Sequence, residues 1–402
     1  MGQFMADIKS YLREKEKREQ NQLNYKEKIR KHKLAAVYRI LLVAVALGAL
    51  TGLVIIQYKK HIYSDYETVS TIVRESSEAS RDIRLGNGIL TYSNDGAHCT
   101  NLKGEVVWNR TYNIQDIKVA TCQNYAAIGD YNGRSIYVQN SESQIGEITT
   151  TMPIRDIAVS ATGFVTAVLA DTDVTWINTY SPDGEMKYSG QAHMYESGYP
   201  AAISLSPNGE LLAVSYLYVD AGVLKTNIAF YNFGAVGENQ SDHIVSVYSY
   251  SDMIVPYVRF MNDDTAFAVG DTRLTIYKGN QKPVETAGHL YDSEIQAVYY
   301  NERYIGIVFL SEQAEFTYRM DVYDANGQKV GSYYFDLNYT DIFFGKDYFA
   351  AYNETECMIM TFDGVEKFSG EFHKTVDLML PTATAYKYAL VTDNSIDIIQ
   401  LK

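Results

Sequence analysis

A short apolar–x–apolar motif recurs eight times along this chain, and its recurrence constrains the fold more than any single stretch does. The copies are Ile83-Arg84-Leu85, Ile117-Lys118-Val119, Ile157-Ala158-Val159, Ile203-Ser204-Leu205, Val258-Arg259-Phe260, Val298-Tyr299-Tyr300, Ile342-Phe343-Phe344 and Leu378-Met379-Leu380. They lie 34, 40, 46, 55, 40, 44 and 36 residues apart. Each leads through a short turn into a more apolar strand, such as YAAIGD, LLAVSYLY or YIGIVFLS, and then into a third, such as SIYVQN or SIDIIQLK. Several copies continue through a Gly hairpin into a fourth strand, as in NLKGEVVW, SPDGEMKY, DANGQKVG and FDGVEKFS. Glycine supplies the positive φ that such hairpins need.

A four-stranded unit of about 40 residues repeated in series is the signature of a β-propeller. Each blade buries its faces only against its neighbours, so the ring has to close. The eighth copy, 375–402, holds three strands. A lone period-two strand, Glu67–Glu75 (ETVSTIVRE), stands ahead of the first repeat. The expected fold is therefore all-β: an eight-bladed β-propeller over 81–402 whose last blade is completed by the N-terminal strand. Seven blades is the alternative if that strand serves elsewhere. The 55-residue spacing is assigned to a polar, Gly-rich surface loop at Phe233–Asp242.

The propeller region is preceded by an apolar run, Ala35–Gln57. From Ile40 to Ile56, 17 residues contain nothing more polar than Thr51. That length approaches the hydrocarbon thickness of a bilayer. Arg39 sits at one end, and Tyr58, Lys59 and Lys60 at the other. The sequence thus divides into a stub (1–34), a transmembrane helix (35–57), a linker with the closing strand (58–80) and the propeller. Residues 5–33 lack Gly and Pro and are rich in Glu, Lys, Arg and Gln, which favours helix. Ten Lys/Arg precede Leu34. Positive flanks remain cytoplasmic, placing the N-terminus inside and the C-terminal domain outside. The long polar leader and the length of the apolar run favour an uncleaved signal anchor over a cleaved signal peptide. The ten residues from Gln57 to Glu67 reach about 30 Å at most, which tethers the domain near the bilayer.

Charge is divided along the same line. Residues 1–61 hold 13 Lys/Arg and 5 Asp/Glu; residues 62–402 hold 22 and 44. The basic stub suits anionic lipid, at about 1 kcal/mol per basic residue near the surface. The acidic domain argues against nucleic acid and is compatible with cations or a basic partner. Three cysteines, Cys99, Cys122 and Cys357, are widely spaced and give neither a disulfide framework nor a zinc pattern.

The segments SLSPNGELLAVSY (204–216) and LKGEVVW (102–108) resemble blades of quinoprotein-like and WD40-like propellers. The layout of basic stub, single span and Tyr-rich propeller resembles domain-of-unknown-function family 5711. That resemblance implies an outward-facing propeller in a bacterial envelope and carries no catalytic residues. The chain has only Trp108 and Trp176, without the repeated tryptophan of quinone-dependent dehydrogenases or the Trp-Asp and Gly-His pairs of WD40 blades.

The seven histidines form no HxH or HExxH pattern. Asp324-Ala325-Asn326-Gly327 resembles part of a calcium loop but has Val322 where an acid is required, and a hairpin turn accounts for it. GxSxG, GxGxxG and Walker patterns are absent, so no nucleophile elbow or nucleotide site is expected, and no cofactor. Four Asn-x-Ser/Thr sequons occur, at Asn109, Asn239, Asn338 and Asn353; given the bacterial envelope that the resemblance implies, they are read as chance. One acid recurs: Asp82, Asp116, Asp156, Asp341 and Asp377 each stand immediately before an inner strand. They form either a partial carboxylate ring for a cation or a set of separate strand-start hydrogen bonds and ion pairs; the second account is favoured.

Among 35 Tyr, those expected in loops are Tyr131, Tyr195, Tyr199 and Tyr291. With Arg134 and Arg155 they mark a contact face on the loops leading into the inner strands, since Tyr and Arg are typical interface anchors. The sequence therefore points to a non-enzymatic, membrane-anchored, extracytoplasmic scaffold for a protein or envelope ligand. The alternative is a sensor relaying an external ligand through the stub; a propeller enzyme is a third reading.

Overall fold

Alternation of apolar and polar residues, interrupted every six or so positions by Gly, Asn, Asp or Pro, leaves each stretch able to bury only one or two faces of a strand. The computed structural model describes residues 2–74, 79–170, 174–193 and 197–402, which fall into two units, Met1–His61 and Ile62–Lys402. In the first unit, Gly2–Lys60 is one uninterrupted α-helix. It joins the basic stub to the apolar run and is long and apolar enough to cross a membrane. Leu41, Leu42, Val45, Leu47 and Leu50 are exposed along it. The Thr51 hydroxyl is satisfied within the helix, donating to the carbonyls of Leu47 (3.0 Å) and Gly48 (2.9 Å). The helix extends three residues into what the sequence suggested was linker.

The second unit is an eight-bladed β-propeller of eight four-stranded antiparallel sheets. Blades 1 to 7 are continuous in sequence: 81–111, 117–149, 154–193, 199–250, 257–290, 295–335 and 341–371. All eight apolar–x–apolar motifs lie in the first, inner strands. Blade 8 takes three strands from the C-terminus (Leu378–Pro381, Lys387–Val391, Ser395–Leu401) and its outer strand from Tyr66–Val73. The closing strand runs antiparallel to the last strand, from Tyr66 opposite Leu401 to Val73 opposite Ser395. It begins one residue before the expected strand and ends at Val73; Glu75 lies outside the described residues.

There is no single central core. Eight separate apolar clusters lie between consecutive blades, and the eighth joins blade 8 to blade 1 through Ile89, Leu378, Leu380, Ala389, Val391 and Ile396. Among the described residues this last layer has the fewest buried apolar side chains of the eight. The hairpins joining third to fourth strands in blades 1 to 7 each carry a register shift, as at Cys99/Thr100, Val322/Tyr323 and Ile359/Met360. Such bulges add local twist and end the pairing next to the Gly turn. Gly104, Gly184, Gly327 and Gly364 occupy these turns with φ of 79°, 91°, 79° and 78°, a region where other residues are strained.

Blade 4 departs from the repeat. Its second and third strands, Leu211–Asp220 and Val223–Asn232, are ten residues each, against five to seven for those in the other blades. The loop after Asn232 contains two short 3-10 turns, Gly237–Asn239 and Ser241–His243. The wide sequence spacing therefore has two sources, the surface loop and a lengthened hairpin.

Candidate functional site

Antiparallel order puts two sets of loops at opposite ends of the ring. The upper face carries the loops leading into the inner strands, together with the turns between second and third strands. All five recurrent aspartates lie at this end, in blades 1, 2, 3, 7 and 8. Their engagements differ. Asp82 receives both Arg74 Nη2 contacts, at 2.8 and 3.1 Å, and the Thr91 hydroxyl at 2.5 Å. Asp156 pairs with Lys118 Nζ at 2.6 Å. Asp341 accepts the Ile342 N–H at 2.8 Å and the Tyr352 hydroxyl at 3.2 Å. Asp116 and Asp377 are exposed. Among the described residues, no three His, Cys, Asp or Glu side chains are placed to hold a metal ion. Separate strand-start interactions thus account for Asp82, Asp156 and Asp341. We expect millimolar Ca²⁺ or Mg²⁺ to leave the melting temperature of the full chain where EDTA leaves it; a metal-dependent rise would restore the carboxylate ring. The calcium-loop resemblance also resolves into a turn, because Asp324 Oδ1 accepts the N–H groups of Asn326 and Gln328, both at 2.8 Å.

Burial raises the carboxyl pKa of Asp341 above its ordinary 3.8, the two hydrogen bonds offsetting part of the effect. A raised pKa means that folding takes up a proton. The group therefore contributes stability below the unfolded value and loses it as pH rises through the raised one. Asp341→Asn removes the charge and keeps an acceptor for Ile342 N–H. The variant should melt above the wild type near neutral pH, with the gap closing as pH falls toward the ordinary carboxylate range. Melting curves across pH check this; a variant less stable at neutral pH would mean that the carboxylate's hydrogen bonds outweigh its burial.

The channel end of the ring is similarly committed. A cavity of about 350 Å³ is lined by the inner strands of blades 2 to 6, including Lys118, Cys122, Asp156, Ser204, Arg259 and Tyr300. Arg259 Nη1 donates to the carbonyls of Ile203 (3.2 Å) and Val258 (2.8 Å), and its guanidinium lies 4.7 Å from the Tyr257 ring centroid. Ser204 Oγ accepts the Phe260 N–H at 2.9 Å. Burial pushes the thiols of Cys99 and Cys122 up to about 11 and that of Cys357 up to about 12. All three are free and remain protonated thiols at neutral pH, so none is an activated nucleophile.

The contact residues suggested by sequence separate into distinct situations. Tyr131 and Arg155 do meet: the Arg155 guanidinium lies over the Tyr131 ring at 5.5 Å and hydrogen-bonds Asn132. The Arg134 carbonyl accepts the Thr150 N–H at 2.8 Å, in the same group of loops. Tyr199 is 40% exposed, beside the blade 4 hairpin. Tyr195 lies outside the described residues. Tyr291 is spent within the ring: its hydroxyl donates to Gly270 O at 2.6 Å and its ring packs on Phe309 at 5.4 Å. Two features were missed. Arg74 follows the closing strand directly, and only the folded seam places it on Asp82. The long hairpin was legible as apolar alternation continuing on both sides of Asp220-Ala221-Gly222.

Comparisons with known proteins agree with this architecture. The search of curated proteins returned no match. Solved structures similar to the chain include Sqt1 from Chaetomium thermophilum bound to the N-terminus of ribosomal protein L10, with a TM-score of 0.53, 12% identity, and coverage of 84% of this chain and 100% of that one. Sqt1 from Saccharomyces cerevisiae gives a TM-score of 0.52 at 11% identity, covering 85% and 99%. BamB from Moraxella catarrhalis gives 0.49 at 10% identity, covering 84% and 100%. At such identities the Sqt1 likeness establishes the propeller fold alone. A family model, by contrast, matches residues 58–401, from the end of the apolar helix through the last strand of the ring, and the chain accordingly belongs to the family of unknown function DUF5711.

Proposed function

We propose that this protein is a membrane-anchored, extracytoplasmic scaffold that binds a protein partner on the upper face of its propeller. The observation that carries this reading is the contrast between two regions of the ring. Charged groups lining the channel already have partners: Lys118 pairs with Asp156, and Arg259 donates to the backbone carbonyls of Ile203 and Val258. The upper face leaves Tyr199, the blade 4 hairpin and many carboxylates open. No reaction is part of this reading. Sqt1 bound to a ribosomal protein segment supplies a fold-level analogy for a propeller that holds a polypeptide. The apolar helix is the anchor, and the basic residues ahead of it hold to anionic lipid.

Labelling with a membrane-impermeant maleimide tests the topology on the full chain. Glu142→Cys should label in intact cells and Ser10→Cys only after permeabilisation; the reverse pattern would overturn the orientation. A second reading, a sensor, is favoured by the continuity of Gly2–Lys60, which makes stub and span one helix. A photocrosslinker at Tyr25 that gives no protein adduct in intact cells would eliminate it.

A further inference from the structure

The lengthened hairpin of blade 4 is more than extra chain. Its second strand pairs with the inner strand only as far as Tyr199 opposite Leu217, and its third pairs with the outer strand only as far as Thr226 opposite Tyr250. Beyond those points residues 218–225 pair only with each other, Val219 with Leu224 and Asp220 with Val223. The tip is a two-stranded ribbon projecting beyond the sheet, and among the described residues neither of its outer backbone edges pairs with another strand.

Register sorts its side chains. Tyr199, Leu217, Val219 and Leu224 share the side on which Ser215 and Thr226 face blade 5. That side is fixed by hydrogen bonds: Ser215 Oγ donates to Val255 O at 2.6 Å, and Thr226 Oγ1 accepts the Val255 N–H at 3.1 Å. Tyr199, Val219 and Leu224 are 40%, 69% and 40% exposed. A strip of this kind is costly to leave in water on an isolated ribbon.

Charge indicates what covers it. The Val255 loop also carries Asp252, and it is pinned to the next turn by Asp271, which accepts the Ile254 N–H at 3.1 Å. Asp252 and Asp271 are exposed, as are Asp292 and Glu294 in the following loop. The nearby cations are committed elsewhere: Lys225 pairs with Asp220 at 2.7 Å on the far side of the ribbon, and Arg273 pairs with Glu285. An apolar strip thus stands beside carboxylates with no cationic partner among the described residues.

We infer that the blade 4 hairpin, residues 217–226, docks a basic amphipathic segment of a protein partner. The segment's apolar side lies on Tyr199, Leu217, Val219 and Leu224, and its cations face Asp252 and Asp271. This rests on the scaffold reading and names the element that does the binding. Open ribbon edges additionally offer backbone pairing to an extended segment.

The test places a photocrosslinking residue at Val219 of the full-length protein in intact cells, with parallel probes at Tyr131 and Arg155. A heterologous protein adduct is expected at 219. Its yield should fall by about tenfold in the Asp252→Asn/Asp271→Asn variant and at raised ionic strength. The Val219→Ser/Leu224→Ser variant, probed at Tyr199, should lose it to a similar extent. Unchanged melting curves for both variants confirm that the fold is intact. Adducts at 131 or 155 but not at 219 would overturn the hairpin as docking element and leave the scaffold reading standing; none at any of the three would remove both. An adduct to lipid or to a second copy of this chain, or one indifferent to the Asp→Asn changes, would also overturn the inference.

Discussion

Deleting residues 66–73 while keeping the apolar helix is expected to abolish the cooperative melting of the whole propeller. The strand pairs along the entire last strand, from Tyr66 opposite Leu401 to Val73 opposite Ser395. Tyr66 is buried in the blade 7–8 cluster, its hydroxyl accepts the His373 N–H at 2.8 Å, and its ring lies 4.7 Å from the His373 ring. Ile72 packs at the opposite end against the blade 8–1 cluster. Loss of the strand would therefore expose the last strand's edge and loosen both interfaces of blade 8 at once. In a ring each interface depends on its neighbours, so the damage spreads beyond one blade. The milder Tyr66→Ala should cost about 3–5 kcal/mol, the usual range for a buried aromatic truncated in a core. Calorimetry of the detergent-solubilised full chain reads both variants; a deletion that melts like the wild type would refute closure by this strand.

The second large effect is expected at the seam between blades 8 and 1. Immediately after the closing strand, Arg74 turns its guanidinium onto Asp82 of blade 1, with 9% and 6% of the two side chains exposed. The backbone N–H of Arg74 is held by Asn394 O at 3.0 Å. One side chain thus connects the last blade's edge to the first blade's inner strand, where the described apolar layer has the fewest buried side chains. Removing one partner of a buried pair strands the other charge, at about 3–5 kcal/mol. Arg74→Met and Asp82→Leu should each lower stability by that amount. Replacing Arg74 by Met, Asp82 by Leu and Thr91 by Val together should recover most of the loss, because Thr91 also donates to Asp82 and none of the three is then left unpaired. If the single substitutions cost under about 1 kcal/mol, the pair behaves as a surface bridge and the seam is held by its apolar layer.

How much of this was legible in sequence depended on the range of the interaction. The inner strands were visible because apolar–x–apolar spacing is a local property, and the need for a ring followed from blades that expose both faces. Even the closing strand was identifiable, since ETVSTIVRE alternates at period two and blade 8 lacked a partner. The pairing of Asp82 with Arg74 was not, although only eight residues separate them, because it depends on where the strand leaves the seam and the next blade begins. The contacts of Tyr291 were hidden for a related reason: only the fold places Gly270 O and Phe309 against this loop tyrosine. The blade 4 hairpin was half-visible. Its length was in the alternation, but the side on which Val219 and Leu224 fall depends on a register that only pairing defines.

Closure by the N-terminal strand also sets a schedule for biosynthesis. Synthesis makes residues 66–73 before any blade and their partner strand, 395–401, after every other one. During synthesis the first strand is an unpaired edge, open to wrong pairing. Pairs so distant in sequence form late and slowly. Loss of only the last eight residues therefore leaves the earliest strand without a partner, and such a truncated chain should be degraded far faster than one carrying a mid-chain loop insertion of equal length.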